Sequence, residues 1–560
     1  MTTQAEVIHE EEKERESEKH DAAIISPENE IEAYENRALD LRSILGIVAL
    51  AFTYEACILS FIVPAVILLT INADIGPSTQ IAWVAQAWTV GGAVTQTVAG
   101  RCSDIFGRRN FFIAGNLLGL VGTIVASRAD KVNQVIAGTA LMGVAGGIQQ
   151  IAYAAANEIV PRKHRGSAIA FMNVFALPGS AFGSVIAYAI VADLNWRWTF
   201  YIGAIANGWA FLLITIFYWP PGFVGLHPGK TRFQQFKELD FLGLVLFGGG
   251  LTCFLLGISW GGNPYPWTSA QVLAPLILGA LTLIVAFPLW EIYSPDNLAK
   301  LFPPGVMKNV RGFTLPLVAI LISGMSLQSL QILWPQQVQY LFTQVPRTIG
   351  WYSLGFNLAA TIGIVVSGTM FGVVKRTNWQ FFVTTLLQTA FIGAMASVNQ
   401  NTPAQAIVLV AFASFWVSAA QVIGVLLVQF GVEDKDIGAA TGIRGSTLAF
   451  GGAIAVGIYS SIMNNKVADE LAPRVAEAAV GAGLNPDNLE SFIVALTTGS
   501  TAALGAIPNI TPAIINTGAE AIKSVHSDAF RLVYLVSIAF GGIAIIAAAF
   551  VKNVDHKLTQ

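Results

Sequence analysis

Fourteen long apolar runs constrain this chain more than any other feature of its sequence. A helix of about 20 residues crosses the ~30 Å hydrocarbon layer of a bilayer, and only helices or closed barrels satisfy backbone hydrogen bonds there. Apolar types make up 54% of the 560 residues and charged types 12%, which is a membrane composition. The sequence therefore predicts an all-α polytopic membrane protein. Its spans are expected over 43–71, 81–100, 110–127, 133–157, 167–192, 198–219, 241–262, 270–290, 312–333, 348–374, 379–398, 404–430, 437–463 and 531–551.

The distribution of lysine and arginine predicts the orientation of these spans. Basic residues accumulate in the cytosolic loops of membrane proteins. With the N-terminus in the cytosol, sixteen lysine and arginine residues, Arg444 among them, lie on that side and seven on the other. An odd number of spans would break this alternation. We therefore expect both termini in the cytosol.

The predicted spans divide the chain into two halves. Thirteen of the 34 acidic residues lie in the first 40 positions, which predicts a disordered acidic tail. The long loop 464–528 is expected to form a small outer cap that carries a glycosylation sequon at Asn509. The expected parts are a cytosolic tail over 1–42, a six-helix bundle over 43–219, a two-helix insertion with its loops over 220–311, a second six-helix bundle over 312–551 and a tail over 552–560.

Motifs of enzymes and ATP-driven pumps do not occur in the sequence. There is no HExxH, no phosphate-binding loop ending in GKS or GKT, no GxSxG and no paired-cysteine motif. The six histidines lie outside the predicted spans, and the spacing of the three cysteines fits no metal cluster. We expect no enzyme activity, cofactor, metal or nucleic-acid partner. An ion or substrate gradient is then the source of energy.

Glu55 is the one acidic residue near the middle of a predicted span. A charge at the bilayer centre costs about 2.5–3.5 kcal/mol on insertion scales, so such a residue faces a cavity or a partner, or stays protonated. Two interpretations remain open. Glu55 is either a proton-coupling group or a neutral side chain that bonds a neighbouring helix.

Polar residues recur at helical spacing in the first, fourth, ninth and twelfth predicted spans. Positions three or four apart share one helix face. These spans are the first and fourth helices of each half, and repeated transporters bind substrate near the midplane between their repeats. The stripes predict one central cavity, although each stripe alone is also explained by hydrogen bonds between helices. The candidate cavity residues are Gln150, Tyr153, Asn157, Gln328, Gln331, Ser418 and Gln421.

Small residues and a proline mark the fifth predicted span. Gly179 and Gly183 lie four apart, which allows close contact between helix backbones. Pro178 favours a kink. This pattern suits helices that move against each other, and it also suits static packing.

The loop after the second predicted span carries a distinctive motif. It reads GRCSDIFGRRN from Gly100 to Asn110, and it resembles the G-x-L-a-D-r-x-G-r-k motif of the major facilitator superfamily. In that superfamily the charges of the motif lock the cytoplasmic gate. The resemblance implies this gating role for Gly100, Asp104, Gly107, Arg108 and Arg109.

The equivalent loop of the second half departs from the motif. Between Gly368 and Arg376 it keeps Gly372, Lys375 and Arg376 but has no acidic residue.

Two further segments resemble fourteen-span drug:proton antiporters. The stretch from Gly179 to Ser184 resembles their G-P-x-x-G-G signature, and WRWTFYI from Trp196 to Ile202 resembles their W-R-W-x-F-Y-I. Ser180 stands where the signature has proline, and Thr139 stands where many antiporters have arginine. These departures shift the expected proton coupling onto Glu55.

The stretch 236–267 narrows the resemblance further. Its segments DFLG, LGISWGG and YPW are similar to the fungal trichothecene efflux pump family, which is close to the fungal siderophore-iron transporters. The resemblance implies a monomeric plasma-membrane protein that uses a proton gradient to export a small toxin, drug or secondary metabolite. Uptake of a siderophore or nutrient is the alternative within this class. A transport-inactive sensor or scaffold is the alternative outside it.

Overall fold

The computed structural model describes residues 41–555 except 79, 161–164, 221–236, 262–264, 296–297, 299, 303, 433–436, 499–503 and 509. The predicted acidic tail and the sequon residue Asn509 lie outside these described residues.

The described chain is helical almost throughout. Its helices are α1 Leu41–Ala65, α2 Leu68–Ile75, α3 Ala82–Phe106, α4 Arg108–Ser127, α5 Val132–Gln149, α6 Ala152–Ile159, α7 Arg165–Phe175, α8 Leu177–Ser180, α9 Gly183–Asp193, α10 Arg197–Phe217, α11 Phe241–Trp260, α12 Ala270–Leu281, α13 Phe287–Tyr293, α14 Pro304–Met307, α15 Leu315–Leu341, α16 Pro346–Val374, α17 Thr377–Ala394, α18 Pro403–Phe430, α19 Ile437–Gly481, α20 Leu489–Thr498 and α21 Pro512–Ala549. We call α1–α10 the first half and α15–α21 the second half.

The predicted all-α membrane fold is confirmed. Among the described residues, twelve helical segments are long and apolar enough to cross a membrane. The predicted second span is α3, which is not one of the twelve, and the predicted fifth span is divided into α7, α8 and α9. The count of fourteen crossings therefore stays a prediction.

The segments that carry the polar stripes lie at the centre of the bundle. The buried share of the apolar stretch is highest in four of the twelve segments. It is 72% in Leu41–Ala65, 67% in Val132–Ala156, 67% in Val310–Leu341 and 56% in Pro403–Phe430. The segment Ala270–Tyr293, in the insertion, is the least buried at 17%. The most polar faces are thus on the helices with the least access to lipid.

The insertion helices pack beside the bundle through glycines. A Cβ added at Gly257 of α11 would lie 2.6 Å from the Cβ of Leu276 in α12, so only glycine allows this approach. The pair then meets both halves, since Gly248 faces Val94 of α3 and Phe254 packs on Phe450 of α19.

A helical cap lies between the last two spans. Helix α19 continues beyond the predicted end at 463 to Gly481, and α21 begins at Pro512 instead of 531. The cap has its own apolar cluster around Phe492, and Arg474 donates to Asp528 at 2.6 Å. The predicted outer loop is therefore an extension of two helices, closed by α20.

Asp555 supplies a carboxylate to the loop between Gly368 and Arg376, which has no acidic residue of its own. The Asp555 carboxylate accepts the N–H groups of Arg376 at 2.7 Å and Thr377 at 3.0 Å, at the start of α17. Lys375 and Arg376 have positive φ angles of 56° and 50°, so the turn before α17 is tight. Burial raises the pKa of Asp555, but these N–H bonds and the Asn553 side chain outweigh it and hold the pKa below its ordinary value.

We expect Asp555→Ala to lower the unfolding free energy by about 1 kcal/mol, the usual value of a helix N-cap. Because the folded-state pKa is depressed, this contribution is full at neutral pH and is lost as the pH falls below about 4. Thermal unfolding of the purified protein in detergent, followed by tryptophan fluorescence between pH 7 and pH 3, measures both effects. Glu520→Ala, on an exposed helix face, is the control. A constant gap between wild type and Asp555→Ala across this range would contradict the assignment.

Candidate functional site

Glu55 meets a broken helix near the middle of the first half. Its side chain is 5% exposed, and its Oε1 accepts the backbone N–H of Gly179 at 2.7 Å. Its Oε2 is buried without a hydrogen bond. One carboxylate oxygen is therefore satisfied and the other is available.

The break that exposes this N–H follows from the local sequence. Pro178 has no N–H and disfavours a continuous helix, and the fifth span is interrupted between α7, α8 and α9. A Cβ at Gly179 would lie 2.9 Å from Ile58 Cγ2 and 3.0 Å from Glu55 Oε2. A Cβ at Gly183 would lie 2.8 Å from Ile62 Cγ2. The fifth span thus approaches α1 closely at Gly179 and Gly183.

The stripe of the fourth span also faces α1. Gly146 lies against the Cys57 thiol, whose Sγ is 3.8 Å from the Gly146 carbonyl oxygen, and Gln150 lies beside the same thiol. The ring of Tyr153 meets the ring of Tyr54 edge to face at 4.5 Å. The side chain of Asn157 lies outside the described residues.

The stripe of the ninth span faces α19. Gly324 packs on the backbone of Leu448, and Gly452 allows Gln328 to approach α19 closely. The Oε1 atom of Gln328 is buried without a hydrogen bond. Gln331 is buried on the same helix.

The polar residues of the twelfth span bond neighbouring helices. Gln421 donates to the Ser323 carbonyl at 3.3 Å, and the Ser323 hydroxyl donates to Gln388 at 2.8 Å. Ser418 is buried on the same helix as Gln421. We call Ser323, Gln388 and Gln421 the second-half amide cluster. Hydrogen bonding between helices accounts for Gln421 in this conformation.

An amide cluster that the sequence did not reveal joins four helices of the first half. Gln149 donates to Asn116 at 2.8 Å and to Asn207 at 2.7 Å, and Asn207 donates to Ser60 at 2.9 Å. We call Ser60, Asn116, Gln149 and Asn207 the first-half amide cluster. All four are buried. Gln149 precedes the predicted Gln150, so the adjacent glutamines point to different surroundings.

Arg444 lies within a span-forming segment, Ala440–Gly481. The sequence places it with the cytosolic basic residues, and in the structure it precedes Gly445, which packs on the Gln96 side chain of α3. Its Nε atom is buried without a hydrogen bond. Its position in the thirteenth predicted span was the signal that identified it as unusual.

The motif loop forms a one-residue turn between α3 and α4. Gly107 has a φ of 89°, a region that side chains with a Cβ rarely adopt. A Cβ at Gly100, in contrast, would meet no atom within 4 Å, so packing in this conformation does not require glycine there. Arg109 donates to the Thr215 carbonyl at 2.6 Å and lies 3.5 Å above the Trp219 ring.

The other members of this motif are described less fully. Arg108 is half-buried, and the side chain of Asp104 lies outside the described residues. The gating role of the motif therefore stays a prediction.

The tryptophan-arginine segment before α10 ties three connections together. Trp196 donates its ring N–H to Asp74 at 2.7 Å. Arg197 pairs with the same carboxylate at 3.3 Å and donates to the Ala129 carbonyl at 3.0 Å. The segment therefore holds the loops at that face together and has no direct contact with Glu55.

Two seams join the halves. In the first seam, Ser446 of α19 donates to the Ala93 carbonyl at 2.6 Å and also bonds Thr97 of α3. In the second, Arg347 at the start of α16 pairs with Asp193 at the end of α9 at 2.7 Å, and Asn357 donates to Ser184 at 3.0 Å. Among the described residues, hydroxyl and amide groups bond across both seams, and one ion pair adds to the second.

Comparison with known proteins identifies relatives over most of the chain. The profile of the fungal trichothecene efflux pump family matches residues 6–560. The trichothecene efflux pump TRI12 of Fusarium sporotrichioides is 33% identical over 492 residues, which cover 87% of this chain and 82% of that protein. The trichothecene efflux pump TRI12 of Trichoderma arundinaceum is 31% identical over 525 residues, which cover 91% and 85%.

A solved transporter shares the fold. A POT family peptide transporter superposes with a TM-score of 0.57 at 14% identity, covering 89% of this chain and 96% of that one. At this identity the similarity concerns the fold alone.

The requirement for glycine in the motif can be tested by comparing Gly107 with Gly100. We expect Gly107→Ala to lower the unfolding free energy by about 1–2 kcal/mol, the cost of a side chain in a left-handed backbone conformation. Gly100→Ala should cause no loss, because alanine is favoured over glycine inside a helix. Thermal unfolding of both variants in detergent measures the difference. Equal losses would show that the turn does not depend on glycine.

Proposed function

Because this chain belongs to the fungal trichothecene efflux pump family, we propose that it exports a trichothecene or a related small toxin across the plasma membrane. The family and the fold make it a secondary transporter of a toxin or metabolite and not an enzyme. The observation that carries the proposal is the match to the family profile over residues 6–560. The proposed orientation has both termini in the cytosol and the cap outside.

The two seams support an alternating-access mechanism. Among the described residues, the first seam contains two hydrogen bonds and the second contains one hydrogen bond and one exposed ion pair. An exposed pair contributes only about 0–1 kcal/mol, so this ion pair adds little to the cost of opening the second seam. The central polar stripes would then face each side of the membrane in turn, with the monomer as the transporting unit.

Glu55 is the proposed proton-coupling group. Its carboxyl bonds one backbone N–H and keeps one oxygen without a partner, so it can take up or release a proton without breaking a salt bridge. The N–H belongs to the broken fifth span, next to α1 and close to the second seam on α9. Proton binding and movement of the halves are thereby joined at one contact.

Export is tested in a yeast host that lacks its own efflux pumps. Expression of the chain should lower the intracellular level of a radiolabelled trichothecene and raise the concentration needed to stop growth. Accumulation of the label inside the cells would instead favour the uptake alternative. A siderophore-iron complex supplied to the same cells tests that alternative directly.

A reversible cross-link tests the moving seam. In a background without Cys57, Cys102 and Cys253, the double variant Thr97→Cys and Ser446→Cys should lose export under an oxidant and regain it under a reductant. Thr97→Cys alone is the control and should stay active. Export that persists after complete cross-linking would contradict movement at this seam.

The coupling role of Glu55 is tested in proteoliposomes. We expect Glu55→Gln to abolish the dependence of trichothecene transport on an imposed pH gradient, because glutamine cannot exchange a proton. Downhill exchange of substrate should continue, since glutamine can still accept the Gly179 N–H. Wild-type dependence on the gradient in Glu55→Gln would rule out the coupling role.

A further inference from the structure

A surface cavity lies between α1 and α10, at the level where both spans reach one face of the membrane. Helix α1 begins there at Leu41 and α10 ends there at Phe217. The volume of the cavity is about 460 Å³, which is the size of a site for a small ligand or part of a larger one. The described residues that line it are Leu41, Arg42, Leu45, Ile216, Phe217 and Trp219. We call this cavity the α1–α10 pocket.

The described lining of the α1–α10 pocket is apolar except for one guanidinium. Leu41, Ile216 and Trp219 are 67%, 57% and 52% exposed, and Arg42 is exposed as well. Because two spans end at this level, the exposed apolar side chains border the hydrocarbon and Arg42 lies at the depth of the lipid head groups. The pocket therefore places N–H donors directly beside an apolar surface.

The Trp219 ring forms one wall of the pocket and has a fixed orientation. Its ring N–H donates to the Ile216 carbonyl at 2.9 Å. The Arg109 guanidinium lies 3.5 Å from the centre of the ring, and Arg109 also donates to the Thr215 carbonyl at 2.6 Å. A cation over an indole face is attracted to it, so this contact holds a second positive charge against the wall of the pocket.

These features select a ligand that has two parts. A guanidinium binds phosphate oxygens through its planar fork of N–H donors, and the apolar walls accept a hydrocarbon chain. An inorganic anion would leave those walls uncovered, and a lipid with a choline head group carries a cation that the arginines repel. An anionic phospholipid complements both parts of the pocket.

We propose that the α1–α10 pocket binds an anionic phospholipid, with the lipid phosphate on Arg42 and one acyl chain along Leu45 and Phe217. In the proposed orientation the lipid belongs to the cytosolic leaflet, where basic pockets between spans recognise acidic head groups. The bound lipid connects the end of α1 to the end of α10. Binding does not depend on export, so a chain that exports nothing would leave this proposal standing.

Photolabelling of the wild-type protein maps the site without any variant. The full chain in detergent is irradiated with a phosphatidylserine that carries a diazirine on one acyl chain, and mass spectrometry locates the label. Peptides that contain Leu45 or Phe217 should be labelled at least about fivefold more than peptides of α12, the difference expected for one basic contact. Helix α12 is the internal control, because its segment Ala270–Tyr293 is the least buried of the candidate spans and carries no lysine or arginine.

Competition identifies the ligand in the same experiment. Unlabelled phosphatidylserine should remove the label at Leu45 and Phe217, whereas phosphatidylcholine and inorganic phosphate should leave it. Equal labelling of α12 would overturn the proposal. Displacement by inorganic phosphate would show an anion site that needs no lipid, and equal displacement by phosphatidylcholine would show lipid contact without selection of charge; either result also overturns it.

Native mass spectrometry of variants tests the charge. Arg42→Gln should weaken binding of phosphatidylserine about fivefold and leave binding of phosphatidylcholine unchanged. Arg42→Lys keeps the charge and should retain the preference for phosphatidylserine. Arg128→Gln is the matched control, because Arg128 is an exposed arginine at the opposite end of α4. Equal losses in Arg42→Gln and Arg128→Gln would show general attraction to basic residues and contradict a site at Arg42.

A variant that fills the pocket tests its apolar part. Leu45→Trp adds volume where the acyl chain is proposed to lie and leaves every charge in place. It should weaken binding of phosphatidylserine at least about fivefold, with thermal unfolding unchanged. Wild-type binding in Leu45→Trp would show that the cavity takes no part, and would overturn the proposal even if Arg42→Gln binds less lipid.

Discussion

Hydrogen bonds of buried amides with each other and with nearby hydroxyl and carbonyl groups are the interaction on which the helix arrangement depends. In hydrocarbon an unsatisfied polar group is costly, so a glutamine or asparagine inside the bundle fixes the helices that carry its partners. The first-half amide cluster joins α1, α4, α5 and α10 in this way. The central helices cannot rotate without breaking these bonds, and the faces that they turn inward are thereby determined.

The second half contains an equivalent cluster of buried polar side chains. Its amide cluster takes Ser323 from the first helix of that half, Gln388 from the third and Gln421 from the fourth. The first-half cluster takes Ser60, Asn116 and Gln149 from the equivalent helices. The internal repeat is thus visible in hydrogen bonds as well as in the order of spans. Hydrogen bonds within each cluster thus tie together the helices of one half.

The sequence predicted the helices and the family because apolar length and loop motifs are local properties. It predicts Glu55 within a span and a kink at Pro178, since burial cost and proline chemistry need no partner to be known. It could not separate Gln149 from Gln150, because neighbouring residues on one helix differ only in what the other helices place opposite them. Asp555 was missed for the same reason, since the N–H groups that it accepts lie nearly 180 positions away in the chain.

The helical cap has a practical consequence for imaging this molecule. Helix α19 has 45 residues, which at about 1.5 Å per residue is roughly twice the thickness of the hydrocarbon layer. Its C-terminal part extends beyond the predicted span end at 463 and is held to α21 by the Arg474–Asp528 pair and the apolar cluster around Phe492. Images of small transporters are hard to align because the detergent micelle hides most of the protein. A projection on one face makes the two ends of the particle distinguishable. An antibody fragment raised against residues 470–528 would provide a fixed landmark that reports the direction of view without touching either seam.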